Sequence, residues 1–145
     1  MSMKRISLVF IDTNIWFSAF YKTGICSKLI TKLREKEITI AISELVLEEI
    51  INTFQTKLPQ ALSLVSEYLQ SFKVLIFRNP GKQKMLAYSK LADKNDLPIL
   101  VSAIENKCQY LITGNLKDFS IKKIKKETNL QVVSPVEMMK IIEEC

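Results

Sequence analysis

The chain has 145 residues, 48% of them hydrophobic and 25% charged, which suits one folded domain with its own core and excludes a disordered chain. It contains no histidine and three scattered cysteines, Cys26, Cys108 and Cys145, so a zinc site and a Ser-His or Cys-His nucleophile pair have no raw material. The net charge of +6 favours a nucleic-acid or other polyanionic partner.

Leu8-Val9-Phe10-Ile11, with Ile6 upstream, reads as a strand buried on both faces. Asp12-Thr13-Asn14 follows where that strand must end. Ligands of open α/β sheets bind just outside the carboxyl ends of the strands, so Asp12 stands where chemistry belongs. The spacing of Trp16, Phe17, Phe20 and Tyr21 predicts a helix over 15–21, capped by Thr13 or Asn14 and stopped at Gly24; its aromatics suit a core or a subunit interface. A second helix is predicted over 25–36, with Cys26, Leu29, Ile30 and Leu33 on one stripe, and then a strand over 38–42. Ser43 caps a helix over 44–55 whose apolar face is Leu47, Ile50, Ile51 and Phe54.

Pro59 opens a helix to residue 72, followed by a strand over 73–77 and a turn at Asn79-Pro80-Gly81. Helices are predicted over 83–91 and 95–107, the second capped by Asp96 with Pro98 in its first turn. Strands over 110–113 and 132–133 come next, and Ser134-Pro135 opens a terminal helix to residue 143. Strands separated by helices imply a single α/β/α sandwich over residues 1–145 with a central parallel sheet of about five strands. No apolar run reaches the ~18 residues that span a bilayer. The short run after Lys4 and Arg5 is broken at Asp12, unlike a signal peptide, and the odd cysteine count fits a reducing cytoplasm.

Each acid near the strand ends has a structural reading of its own. Asp12 serves as an N-cap, Glu44 as a solvated helix face, and Asp96 as a second N-cap with one carboxylate oxygen left over. Glu49 lies at the edge of its helix's apolar stripe with Glu48 beside it; Asn115 and Asp118 follow the fourth strand across Thr113-Gly114. Together, however, these positions fall at one edge of a parallel sheet. Like charges about 5 Å apart at an effective dielectric near 20 repel by roughly 3 kcal/mol per pair. A hard divalent cation, Mg²⁺ or Mn²⁺, is the natural counter-charge. The chemistry that uses carboxylate ligands and no histidine is phosphodiester hydrolysis.

Asp12-Thr13-Asn14, Ser43 with Glu49 six residues on, Asp93-x-x-Asp96, and Leu111-Ile112-Thr113-Gly114-Asn115-x-x-Asp118-Phe119 stand in the order found in the PIN domain. From Ile6 to Ile142 the chain resembles that family of small metal-dependent ribonucleases, and within it the VapC-like toxins of toxin–antitoxin pairs. The resemblance implies Asp12, Glu49 and Asp96 as catalytic acids and metal ligands, with Glu48 in place of Glu49 if the register shifts by one. Asn115 falls where many members carry a fourth aspartate, and Asp118 offers a compensating ligand. Thr13, Asn14, Asp93 and Thr113 would orient the carboxylates.

The implied reaction is Mg²⁺- or Mn²⁺-dependent endonucleolytic cleavage of RNA by an activated water, leaving a 5′-phosphate and a 3′-hydroxyl. The implied partners are a cognate antitoxin and a second copy in a homodimer, with no membrane. Lys117, Lys122, Lys123, Lys125 and Lys126 either hold the RNA backbone or form a solvated face. A rival reading keeps the fold and takes Asn115 as the mark of a catalytically degenerate module that binds RNA or a protein. A phosphatase or nucleotide-binding reading is weaker, because no Gly-rich phosphate loop follows any strand and no aspartate stands two residues after Asp12.

Overall fold

The computed structural model describes residues 5–144; Lys4 and Cys145 lie outside the described residues. Five strands, β1 (Leu8–Ile11), β2 (Thr39–Ser43), β3 (Leu75–Phe77), β4 (Tyr110–Ile112) and β5 (Gln131–Val133), form one sheet in the order β3-β2-β1-β4-β5. Every pairing is parallel, with Phe10 beside Ala41 on one side and Leu111 on the other. The all-apolar run of β1 takes the centre, where Val9, Phe10 and Ile11 are wholly buried. Eight α-helices flank the sheet among the described residues: α1 (Thr13–Tyr21), α2 (Ile25–Glu35), α3 (Glu44–Lys57), α4 (Leu62–Ser71), α5 (Lys82–Ala87), α6 (Leu97–Glu105), α7 (Ile121–Glu127) and α8 (Pro135–Glu143). This is the expected α/β/α sandwich. No helix among the described residues is long and apolar enough to cross a membrane.

The chain winds outward from β1 through β2 to β3, then returns to place β4 and β5 on the other side of β1. The winding therefore reverses between β1 and β4, and at such a switch point the connections diverge and leave a crevice at the strands' carboxyl ends. Backbone bonds extend the ladder into that crevice: the Asp12 N–H donates to the Ile112 carbonyl and the Thr113 N–H to the Val133 carbonyl, each at 3.0 Å. Asp12 and Thr113 are thereby held side by side.

Several expected boundaries shift. Helix α1 begins at Thr13 with Asp12, rather than Thr13 or Asn14, as its N-cap, and Gly24 is the N-cap of α2 rather than the stop of α1. A 3₁₀ turn, Pro59–Ala61, precedes α4, and α5 ends at Ala87 instead of reaching 91. The apolar face of α3 is Val46, Ile50 and Phe54, with the expected Leu47 partly buried against the core and Ile51 turned outward at 37% exposure. Of the aromatics on α1, Trp16 is core, donating its indole N–H to the Ile11 carbonyl at 3.2 Å, while Tyr21 is 60% exposed. Cys26 and Cys108 are buried free thiols. Burial pushes Cys108 up to about 12, the behaviour of an inert core thiol.

Candidate active site

Asp12 is 3% exposed, a burial that carboxylates tolerate only with hydrogen bonds or counter-charge. Its Oδ1 accepts from the Thr13 N–H at 2.7 Å, the cap of α1, and its Oδ2 accepts from the Thr113 hydroxyl at 2.8 Å. Thr113 Oγ1 in turn accepts from the Asn115 N–H at 3.1 Å, and Asn14 Oδ1 accepts from the Gly114 N–H at 3.2 Å. Across the crevice the Thr13 hydroxyl donates to Glu49 Oε1 at 2.7 Å, which ties α3 to α1. Glu49 is half-buried whereas Glu48 is exposed, so of the two Glu49 faces the crevice.

The remaining acids come from loops stitched together by backbone bonds. The Asp93 N–H donates to the Asp118 carbonyl at 2.9 Å, Ala92 and Phe119 form an antiparallel bridge, and the Ser120 N–H donates to the Leu91 carbonyl at 2.8 Å. This stitching brings carboxylate oxygens of Asp93, Asp96 and Asp118 within 4.8 Å of one another. Asp12 and Glu49 are not among those three. Asp96 stands at the N-cap of α6 with φ −96° and ψ −12° and caps no backbone N–H through its side chain. The expected capping bond is absent because that backbone does not take the extended conformation from which an N-cap side chain reaches back.

Burial raises the Asp12 carboxyl most; the Thr113 and Thr13 hydrogen bonds pull it down, and the charges of Glu49 and Asp118 push it up again. Asp96 is pushed up to about 6, first by desolvation and then by the charges of Asp118 and Asp12, a carboxyl contact with Asp118, and the charge of Asp93. The acids thus form one electrostatic unit running from Glu49 through Asp12 and Asp96 to Asp118 and Asp93. Among the described residues the only ion pair is Lys84–Glu105, at 3.3 Å and outside this unit. An all-oxygen, all-anionic donor set without a basic partner suits a hard divalent cation.

Asp12, Thr13, Asn14, Glu49, Asp96 and Asn115 line one cavity of about 440 Å³. Of its other wall, Phe17 was expected in a core or a subunit interface, and Asn52, Thr53 and Lys57 were not singled out by sequence. The signal was available: Thr13 and Phe17 lie four apart on α1, and Glu49, Thr53 and Lys57 repeat at four on α3. The five expected lysines, Lys117, Lys122, Lys123, Lys125 and Lys126, are all exposed, but none of them lines the cavity. As the crossover between β4 and β5, α7 leaves the carboxyl edge, so Lys125 and Lys126, in its last turn, sit farther from the acids than Lys117.

Comparison with known proteins agrees with this architecture. VapBC2 from Rickettsia felis, bound to a DNA fragment from their promoter, superposes with a TM-score of 0.60 at 23% identity, covering 88% of this chain and 98% of that one. VapBC-1 from nontypeable Haemophilus influenzae gives 0.58 at 21%, covering 86% and 97%. PAE2754 from Pyrobaculum aerophilum gives 0.61 at 11%, covering 97% of each chain. At these identities the likeness is one of fold. No curated protein matches the sequence. The family model for the PIN domain matches residues 8–117, the stretch from β1 through β4 that carries Asp12, Glu49, Asp96 and Asn115, and PIN domains are generally nucleases. The chain belongs to the PIN domain family.

Proposed function

We propose that this protein is a Mg²⁺- or Mn²⁺-dependent endoribonuclease acting as the cytoplasmic toxin of a toxin–antitoxin pair. The observation that carries the reading is the gathering of buried Asp12, half-buried Glu49 and Asp96 around one cavity, with Asp93 and Asp118 adjoining and no cationic side chain paired to any of them among the described residues. Asp96 and Asp118, with Asp93 beside them and Asp12 and Glu49 across the crevice, would hold the cation. A divalent ion bound there lowers the pKa of coordinated water and offsets charge growing on a phosphoryl oxygen during hydrolysis.

The chain's own residues fix the geometry for that chemistry. Thr113 and the Thr13 N–H hold both oxygens of Asp12, and the Thr13 hydroxyl orients Glu49, so neither carboxylate swings freely. Asn14 keeps the Gly114 turn against α1; a Cβ added at Gly114 would meet Asn14 Oδ1 at 3.5 Å. Asn115 presents a neutral amide to the cavity, where it can hydrogen-bond a phosphate oxygen without adding repulsion. Lys117, Lys122 and Lys123 would hold the RNA backbone leading into the crevice, with Lys125 and Lys126 contributing at longer range. The likeness to VapBC proteins supports an antitoxin partner; a second copy in a homodimer is what the resemblance to VapC-like toxins adds.

The test is RNA cleavage by the purified protein with Mn²⁺, set against Asp12→Asn. Asparagine caps a helix about as well as aspartate, so the fold persists by circular dichroism. Cleavage should fall by on the order of a thousandfold. Equal cleavage by both proteins, or none by wild type, would leave the non-cutting binding module as the better account.

A further inference from the structure

A second cavity, of about 240 Å³, lies at the opposite edge of the sheet from the acids, where α2 and α4 end and β2 begins. Its apolar wall is Ile38 and Ile40, two residues apart and so on one face of the chain entering β2, with the rings of Tyr68 and Phe72. Its charged rim is Arg34 and Lys73 against Glu37, and none of these three forms an ion pair among the described residues. The turns that close both helices use backbone alone: the Ile38 N–H donates to the Leu33 carbonyl at 3.0 Å and the Val74 N–H to the Leu69 carbonyl at 3.1 Å. The side chains of Arg34 and Lys73 are therefore not spent on capping.

The Tyr68 hydroxyl is buried and has no hydrogen-bond partner among the described residues, a costly state for a polar group. Its ring is clamped edge-on by Phe72 at 4.4 Å and by Trp16 and Phe20, each at 5.8 Å, so an acceptor has to come to the hydroxyl. Burial pushes the phenol up and the Arg34 charge pulls it partly back. The hydroxyl thus keeps its proton and offers a donor within reach of a guanidinium. Arg34 lies over the second ring, its Cζ 3.6 Å from the centre of Phe72. A guanidinium stacked on a ring keeps its in-plane N–H groups for a bidentate oxyanion.

We infer that this cavity binds a small organic carboxylate: Arg34 grips its two oxygens, the Tyr68 hydroxyl donates to one of them, and the apolar body packs between Phe72 and the two isoleucines. Arg34, Lys73 and Tyr68 supply donors where Glu37 alone supplies an anionic acceptor, which calls for an anion. Two cations against one carboxylate leave a surplus of a single charge, which suits a monoanion better than a phosphate dianion. The volume is below the ~300–1,000 Å³ of sites for drug-sized ligands, so one ring or a short chain fills it and a nucleotide does not. The inference stands apart from the ribonuclease reading and does not depend on it.

The experiment reads the fluorescence of Trp16, the chain's single tryptophan, whose ring meets Tyr68 edge-on. The full chain is titrated with benzoate and with hexanoate at constant ionic strength, excited where benzoate does not absorb, and the titration is repeated by calorimetry. A saturable signal with a dissociation constant on the order of 1 mM is expected for a ligand this small. Arg34→Lys keeps the charge but loses the fork and should weaken binding on the order of tenfold. Tyr68→Phe should weaken it severalfold while leaving the ligand-free thermal midpoint unchanged or higher, because it removes a hydroxyl that has no partner. Lys36→Gln, an exposed charge in the same turn that does not line the cavity, should bind like wild type. The proposal is overturned by the lack of a saturable signal with either carboxylate, by inorganic phosphate binding as tightly as benzoate, or by a Lys36→Gln effect as large as that of Arg34→Lys. A Tyr68→Phe protein that melts lower without ligand would show the hydroxyl to be satisfied already, and overturns it too.

Discussion

The two edges of this sheet are built by opposite means. At the amino-terminal edge the helices end, and α2, α4 and α6 all close the same way. Glu37, Lys73 and Lys107 take the left-handed region with φ of 57°, 50° and 59°, and the N–H of the next residue reaches back five positions: Ile38 to Leu33, Val74 to Leu69, Cys108 to Ala103. Gln109 completes that edge, its Oε1 accepting from the Ser7 and Leu8 N–H groups and its Nε2 donating to the Arg5 carbonyl at 2.8 Å. At the carboxyl edge the helices begin. Ser43 and Ser134 cap α3 and α8 conventionally, but Asp12 divides its carboxylate between a cap and Thr113, and Asp96 caps nothing. One edge closes its helix ends and strand starts with hydrogen bonds from within; the other assembles like charges that only an added positive partner completes. A site differs from a well-closed end of a fold in this respect.

The sharpest way to break that contrast is to supply the missing charge. Mn²⁺ at about a hundred times its dissociation constant should raise unfolding free energy by about 2.7 kcal/mol, read as a shift of the urea midpoint. In Asp96→Asn or Asp118→Asn protein the shift should shrink to less than half at the same concentration. A shift of equal size in all three proteins would mean that the cation binds elsewhere.

Changes at the closed edge should leave that Mn²⁺ response intact while altering stability directly. Gln109→Ala removes the acceptor of the Ser7 and Leu8 N–H groups, which water replaces in part, and should cost about 0.5–1.5 kcal/mol in urea unfolding. Lys107→Gly should act in the opposite direction, because glycine takes the left-handed turn without a Cβ penalty; a gain of about 0.5–1 kcal/mol is expected. If Lys107→Gly instead destabilises, the turn after α6 is not held in the conformation described.

This contrast also explains which features the sequence made legible. The centre of the sheet could be read from Val9-Phe10-Ile11, since only a strand covered on both faces carries such a run. Helix ends could not, because Glu37, Lys73 and Lys107 stand where glycine would have marked the stop, and the chain has only 3 glycines. The strand expected over 73–77 lost its first two residues to one such turn, and at the sheet's edge Leu75 and Ile76 stay 42% and 47% exposed. Convergence of the acids followed from parallel topology alone. That Asp93 would join Asp96 and Asp118 did not, because it depends on the bond from Asp93 to Asp118 between two irregular loops, which no periodicity encodes.

The smallest effect, and the most specific, is in pH. Without metal, Asp96 is raised from 3.8 to about 6 by burial and by its acidic neighbours. The folded protein therefore holds this proton more tightly than the unfolded chain. The corresponding stability is fully present below pH 3.8 and is lost as pH rises through about 6. Measured in EDTA against Asp96→Asn, wild type should lose relative stability across that window and level off above it, modestly, because Asp96 is only partly buried and solvent screens its neighbours. With saturating Mn²⁺ the sign should reverse. A ligand must shed its proton to bind, so the stabilisation by metal grows over the same window in which the metal-free protein weakens. A wild-type difference that ignores pH in EDTA, or that keeps one sign with and without Mn²⁺, would show that the acids at this edge do not act as one unit.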